Sequence, residues 1–171
     1  MNLDADDYTL LGLPRVFALD RAQLDAAWKT LQGKVHPDRF AAEGAAAQRI
    51  AMQWAVRVNE AHQRLKDPLK RAAYLCELDG APVNAHSNTA MPAAFLMQQM
   101  EWREALDDAN GASALEALLA EVQQSRQELL GACETALDQI RDFEAAVSHV
   151  RALMFIDKFA LDLHQRLDQF E

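Results

Sequence analysis

The sequence predicts an all-α protein, and three observations carry that prediction. Half of the 171 residues are hydrophobic, with alanine and leucine prominent, while Gly and Pro number only 6 and 5. Apolar side chains recur at spacings of three and four, the period of a helix face, and never in the sustained alternation of a strand. The five prolines fall between these periodic runs, where helices stop and start.

Asp6-Asp7-Tyr8-Thr9-Leu10-Leu11-Gly12-Leu13 reads as one apolar helical turn closed by Gly12, with Pro14 preventing continuation. Asp20 offers a cap to the next helix, whose Leu24, Trp28, Leu31 and Val35 share one face. Pro37 denies a backbone donor and disfavours helical geometry at His36, so the helix stops and the chain turns at His36-Pro37-Asp38. A second long helix follows, with Ile50, Trp54, Val58, Ala61 and Leu65 expected as its buried stripe, ending at Lys66-Asp67-Pro68. Two long helices around a short loop are expected to lie antiparallel. Leu69 to Cys76 forms a fourth, shorter helix that ends near Gly80 and Pro82.

Residues 79–91 have no apolar stripe and read as a linker, so the expected organisation is 5–78, a linker at 79–91, and a three-helix bundle over 92–171. Pro92 suits the first turn of the bundle's opening helix, and Asn110-Gly111 stops it. On that helix Phe95, Trp102 and Leu106 share one side, and Leu96, Met97, Met100, Glu101, Glu104 and Asp108 collect on the other. A bundle interior rejects a row of unpartnered acids, so the second side reads as a protein-binding patch. Its apolar members could instead pack under the linker or the first unit.

Ser113-Ala114-Leu115-Glu116 has the pattern of a capping box opening the next helix. The last helix starts near Asp142, with Ile156, Ala160, Leu163, Leu167 and Phe170 as its seam. Phe155 points off that seam and either covers an edge of the bundle or extends the patch.

A formal charge of -9 and a pI near 5 argue against nucleic acid, whose neutralisation needs clustered Lys and Arg. No apolar run approaches the roughly 18 residues of a membrane span, and the start Met1-Asn2-Leu3-Asp4 is not basic, so a cytoplasmic protein without a membrane role is expected. Cys76 and Cys133 stand far apart in apolar helical contexts and are expected to be buried thiols. The five dispersed histidines and the lack of Cys-x-x-Cys spacing support neither a metal site nor a cofactor.

The order Tyr-x-x-Leu-Gly-Leu, amphipathic helix, His-Pro-Asp, a helix containing Asn59-Glu60-Ala61 and ending Leu65-Lys66-Asp67-Pro68, then Lys70-Arg71-Ala72-Ala73-Tyr74 resembles a J domain throughout. The segment from Phe95 to Asp108, with Phe155-Ile156-Asp157-Lys158, is similar to the C-terminal domain of the HscB family of iron–sulfur co-chaperones. The resemblance implies a non-enzymatic bacterial co-chaperone that holds no cluster itself. It implies that His36, Pro37, Asp38 and Arg39 engage an HscA-type ATPase chaperone of the DnaK class and stimulate its ATP hydrolysis. It implies that Leu96, Met97, Met100, Glu101, Glu104, Asp108 and Phe155 bind the IscU-type scaffold on which clusters are built, promoting transfer to apoproteins. The helix before the loop offers only Arg21, Lys29 and Lys34 as a basic face, with Arg39 in the loop itself. A general DnaJ-like cofactor of DnaK with another client is the alternative, and the lack of Gly/Phe-rich or zinc-repeat segments counts against it. A small hydrolase built on His36 and Asp38 would lack both a nucleophile and an oxyanion-forming turn.

Overall fold

The structure is a computed structural model that describes residues 2–83 and 91–170. Of the expected linker, residues 84–90 lie outside the described residues. The chain divides into two compact units, Met1–Leu75 and Cys76–Glu171.

In the first unit α1 (Asp7–Leu11) is capped by the Asp6 side chain, which accepts from the Thr9 amide, and closed by Gly12 in the left-handed region at φ 66°. The Asp20 carboxylate accepts from the Ala22 amide and opens α2 (Arg21–Val35), which stops before Pro37. A 3₁₀ turn over Pro37–Glu43 leads to α3 (Ala45–Lys66), and α4 (Pro68–Leu78) begins at its proline and crosses into the second unit. The helices α2 and α3 run antiparallel: Trp28 Nε1 donates to Asn59 Oδ1 at 2.9 Å, and three residues earlier Asp25 meets His62 Nε2, three residues later, at 2.8 Å. Trp28 also stacks on the His62 ring.

The expected stripe of α3 is corrected at its start. Ile50 is 56% exposed and Trp54 only partly buried, and the buried face is Ala51, Ala55, Val58, Ala61, His62 and Leu65. Alanines occupy the interface positions, so a stripe chosen by side-chain size selects the larger isoleucine one residue too early.

A fully buried carboxylate ties this unit together. Asp7 lies 2.8 Å from Arg57 NH1 and 3.4 Å from Arg64 Nε, and its amide donates to the Tyr74 hydroxyl at 2.9 Å. Arg57 also donates to the Leu3 and Ala5 carbonyls, and the Arg64 guanidinium lies over the Tyr74 ring. A hydrogen bond from His62, then one from Arg21, holds the exposed Asp25 carboxyl below the usual carboxylate range. Its contribution to stability is therefore present above the ordinary carboxylate value and lost as pH falls through the lowered one.

In the second unit α5 (Ala93–Asp108), α6 (Ala112–Glu134) and α7 (Phe143–Asp168) enclose a core of Trp102, Leu115, Val122, Ile156, Phe159 and Leu163. Pro92 is the N-cap of α5. The expected capping box does not form: α6 opens at Ala112 after Gly111, whose φ of 121° suits glycine, with no side-chain cap bond. A π-helical segment over Thr135–Ile140 follows α6, and Arg141 turns the chain in the left-handed region at φ 59° before Asp142 caps α7 through the Ala145 amide. On α7 Phe159 takes the seam position, whereas Phe170 lies past the helix end and is exposed. Arg151 donates twice to the Val83 carbonyl, at 3.2 and 2.9 Å, and holds the buried Val83 within this unit.

Removing Asp7 leaves the largely buried Arg57 without its carboxylate partner, so Asp7→Ala is expected to cost about 3 kcal/mol, read from hydrogen exchange of α1 and α3. Arg21→Ala, which breaks only the exposed pair with Asp25, should leave the same readout almost unchanged. Both cysteines are buried free thiols. Burial, reinforced by the charge of Asp79, pushes Cys76 up to about 11, and burial with nearby Cys76 pushes Cys133 up to about 12. At pH 7 both stay protonated, so a thiol reagent should label neither in the native chain and both once it is unfolded in denaturant.

Candidate functional site

The first candidate surface is the turn after α2. Because Pro37 has no amide, the first free donor past the helix is the Asp38 N–H, which donates to His36 Nδ1 at 3.2 Å. With Nδ1 accepting, Nε2 is the nitrogen of the neutral ring that carries the proton. Asp38 Oδ2 lies 3.6 Å from the same nitrogen, and the side chains of His36 and Asp38 are 49% and 91% exposed. An imidazole edge and a carboxylate are thus presented together, while Arg39 N donates to the His36 carbonyl at 3.0 Å and locks the turn.

Arg39 reaches back, its NH1 donating to the Gly33 carbonyl at 2.8 Å near the C-terminus of α2. That bond satisfies a helix-end acceptor and leaves the rest of its donor fork free. Arg21 is engaged by Asp25, so Lys29 and Lys34 are the cations of α2 without an ion pair among the described residues. Beside the loop lies a cleft of about 320 Å³ whose walls include Gln32, Met52, Val56 and Asn59. Sequence reasoning missed this cleft. The i, i+4 pair Met52 and Val56, both about half exposed and off the buried face of α3, was the signal for it.

The second surface lies on α5. Trp102 is buried, donates Nε1 to Glu121 at 3.2 Å, and stacks on Phe159. Its burial turns the opposite face outward: Leu96, Met97 and Met100 are 46%, 63% and 67% exposed, and Glu101, Glu104 and Asp108 are exposed beside them.

Glu101 accepts from Gln98 one turn earlier, but the acids towards the helix end oppose it. Glu104 and Asp108 are like charges one turn apart, and Asp107 and Asp108 oppose the dipole in a last turn with no base. The surface combines adaptable apolar contact area with negative charge suited to a basic partner.

Phe155 of α7 packs at the edge of the bundle core. It is half-buried, stacked on Phe159 with ring centres 5.7 Å apart, and met edge-on by Phe95 at 5.9 Å. Arg103 lies over it, its guanidinium 5.4 Å from the ring centre. Among the described residues there is no cluster of His, Cys, Asp or Glu able to hold a metal, and no helix long and apolar enough to cross a membrane.

A relative from Burkholderia multivorans described as a co-chaperone protein HscB homolog is 50% identical over 174 residues, covering 100% of this chain and 99% of the relative. The chain belongs to the HscB co-chaperone family. A homolog from Bordetella pertussis is 49% identical, with 92% and 94% of the two chains covered. The family profile described as the HSCB C-terminal oligomerisation domain matches residues 91–164. The solved HscB chaperone from Vibrio cholerae superposes with a TM-score of 0.82 at 34% identity, over 98% of this chain and 100% of that one. Human HscB gives 0.89 at 25% identity, over 96% and 83%. The family is the one that the sequence resemblance indicated, and the HscB fold of a J domain followed by a helical C-terminal domain is the fold observed.

Proposed function

We propose that this HscB-family protein is a cytoplasmic, non-enzymatic co-chaperone of iron–sulfur cluster assembly that binds two proteins at once. Its α5 face takes an IscU-type scaffold, and its His36-Pro37-Asp38-Arg39 turn engages an HscA-type ATPase and stimulates hydrolysis. Delivering the scaffold to the ATPase then promotes cluster transfer to apoproteins. The observation that carries this reading is the pairing, in a chain of this family, of a half-exposed imidazole and an exposed carboxylate with an exposed Leu/Met row edged by acids.

Asp38 offers a directional, charge-assisted bond to a guanidinium, and a single exposed pair of that kind gives the modest affinity a transient complex needs. On α5 the three apolar side chains supply contact area while Glu101, Glu104 and Asp108 steer a basic surface onto it. Phe155, held among Phe95 and Phe159, contributes an edge of that area from α7.

A second reading, in which the α5 face joins copies of this chain, takes its support from the description of the matched C-terminal domain. Light scattering across a concentration series separates the two: a constant monomer mass together with scaffold binding favours the first.

ATP turnover of an HscA-type chaperone, with and without scaffold, tests the loop. His36→Gln keeps an acceptor for the Asp38 amide but removes the ring, and stimulation should fall to the basal rate. Stimulation equal to wild type would refute the role given to the loop. Leu96→Ala with Met97→Ala and Met100→Ala should weaken scaffold binding by roughly a hundredfold or more, since each truncated contact is worth about 1 kcal/mol or more. Because all three are exposed, the thermal unfolding curve should hardly move, and loss of folding would show that they serve the core.

A further inference from the structure

On α5, Leu96, Met100, Arg103 and Asp107 follow the spacing i, i+4, i+7, i+11 and so form one ridge of the helix. The first two are the exposed apolar residues already described, and Arg103 is the sole base of the helix. Its surroundings offer carboxylates in abundance: Glu104 is adjacent, and Asp107 stands one turn on, the usual place for a helical ion pair. No ion pair with Arg103 forms among the described residues, and its guanidinium lies instead 5.4 Å from the centre of the Phe155 ring on α7.

That distance is within the reach of a cation–π contact, and a planar, weakly hydrated guanidinium suits it better than an ammonium. Phe155 has three neighbours with distinct geometry: Phe159 parallel at 17°, Phe95 edge-on at 85°, and Arg103 over the ring. Two are parts of the bundle's interior packing. The third is exposed and reaches Phe155 from the ridge that carries Leu96 and Met100.

We propose that Arg103 is a positioning residue of the scaffold-binding face, fixing the Phe155 ring so that the α5 ridge and α7 present one continuous apolar surface. The proposal rests on the scaffold-binding reading above and adds to it a residue that none of the expected contacts included. A side chain held before docking does not pay for its immobilisation on docking, so Arg103 acts through the order it imposes on Phe155. It also sets one positive charge within an acidic face. If charge steering alone decided affinity, removing this base would tighten binding to a basic scaffold. If it positions Phe155, removing it weakens binding.

The test is calorimetric titration of the full-length chain with apo IscU-type scaffold, comparing wild type, Arg103→Leu and Arg103→Lys, together with the ¹⁹F signal of 4-fluorophenylalanine placed at 155. Arg103→Leu is expected to bind roughly two- to five-fold more weakly, the range of one exposed cation–π contact. Arg103→Lys, which keeps a cation near the ring, should fall between the two. The ¹⁹F resonance of the free chain should move in Arg103→Leu while the thermal unfolding curve does not. Binding by Arg103→Leu as tight as wild type or tighter, or an unmoved ¹⁹F signal, would overturn the proposal while leaving the scaffold reading intact. A wild-type chain that binds no scaffold would overturn that reading and this proposal with it.

Discussion

The buried carboxylate of Asp7 is the constraint on which the first unit depends. A carboxylate withdrawn from water needs charged partners, and here both come from α3, Arg57 and Arg64, while the Tyr74 hydroxyl on α4 accepts from the Asp7 amide. Arg57 and Arg64 stand two helical turns apart and on one face, so meeting Asp7 fixes the rotation of α3. With that rotation fixed, Val58, Ala61 and Leu65 turn into the core, and Asn59 and His62 meet Trp28 and Asp25 on α2. The turn at His36 then lies where two helices of settled register must be joined.

The two candidate surfaces are built by different means. At the loop, the missing amide of Pro37 and a hydrogen bond from Asp38 to His36 Nδ1 hold the exposed groups, so backbone geometry does the presenting. On α5 a single large anchor, Trp102, is sunk into the bundle, and whatever lies opposite is exposed as a consequence. A loop of fixed shape suits recognition by one directional contact. A ridge of Leu and Met side chains suits a broader surface whose details can adjust.

Most of the helices were legible because their ends carry side chains with one mechanical meaning. Asp6, Asp20 and Asp142 cap, Gly12 takes the left-handed turn, and Pro37 and Pro68 separate helices. The second candidate surface was legible for a related reason, since a row of acids opposite a Trp divides a helix into faces whatever its neighbours are. What escaped depended on small or ambiguous residues. Ala51 and Ala55 carry the α3 interface without the bulk that marks a stripe, which is why Ile50 was misread. The turn between α6 and α7 contains neither Gly nor Pro, and Arg141 adopts φ 59° with its side chain over the Phe143 ring and 3.6 Å from Asp79. Ser113 has the right successor for a cap, but Gly111 already opens that helix. Arg103 gave no signal of its own, because its meaning lies in a ring 52 positions away on another helix.

The self-repulsion of α5 has a consequence for how this protein responds to its medium. Acids one turn apart and at the wrong end of the dipole make the helix less stable than its sequence could make it, and dissolved ions shield that repulsion. The same ions shield the attraction between this face and a basic partner. Ionic strength therefore pulls the molecule two ways, firming the free helix while weakening the attraction of its acidic face for any basic surface.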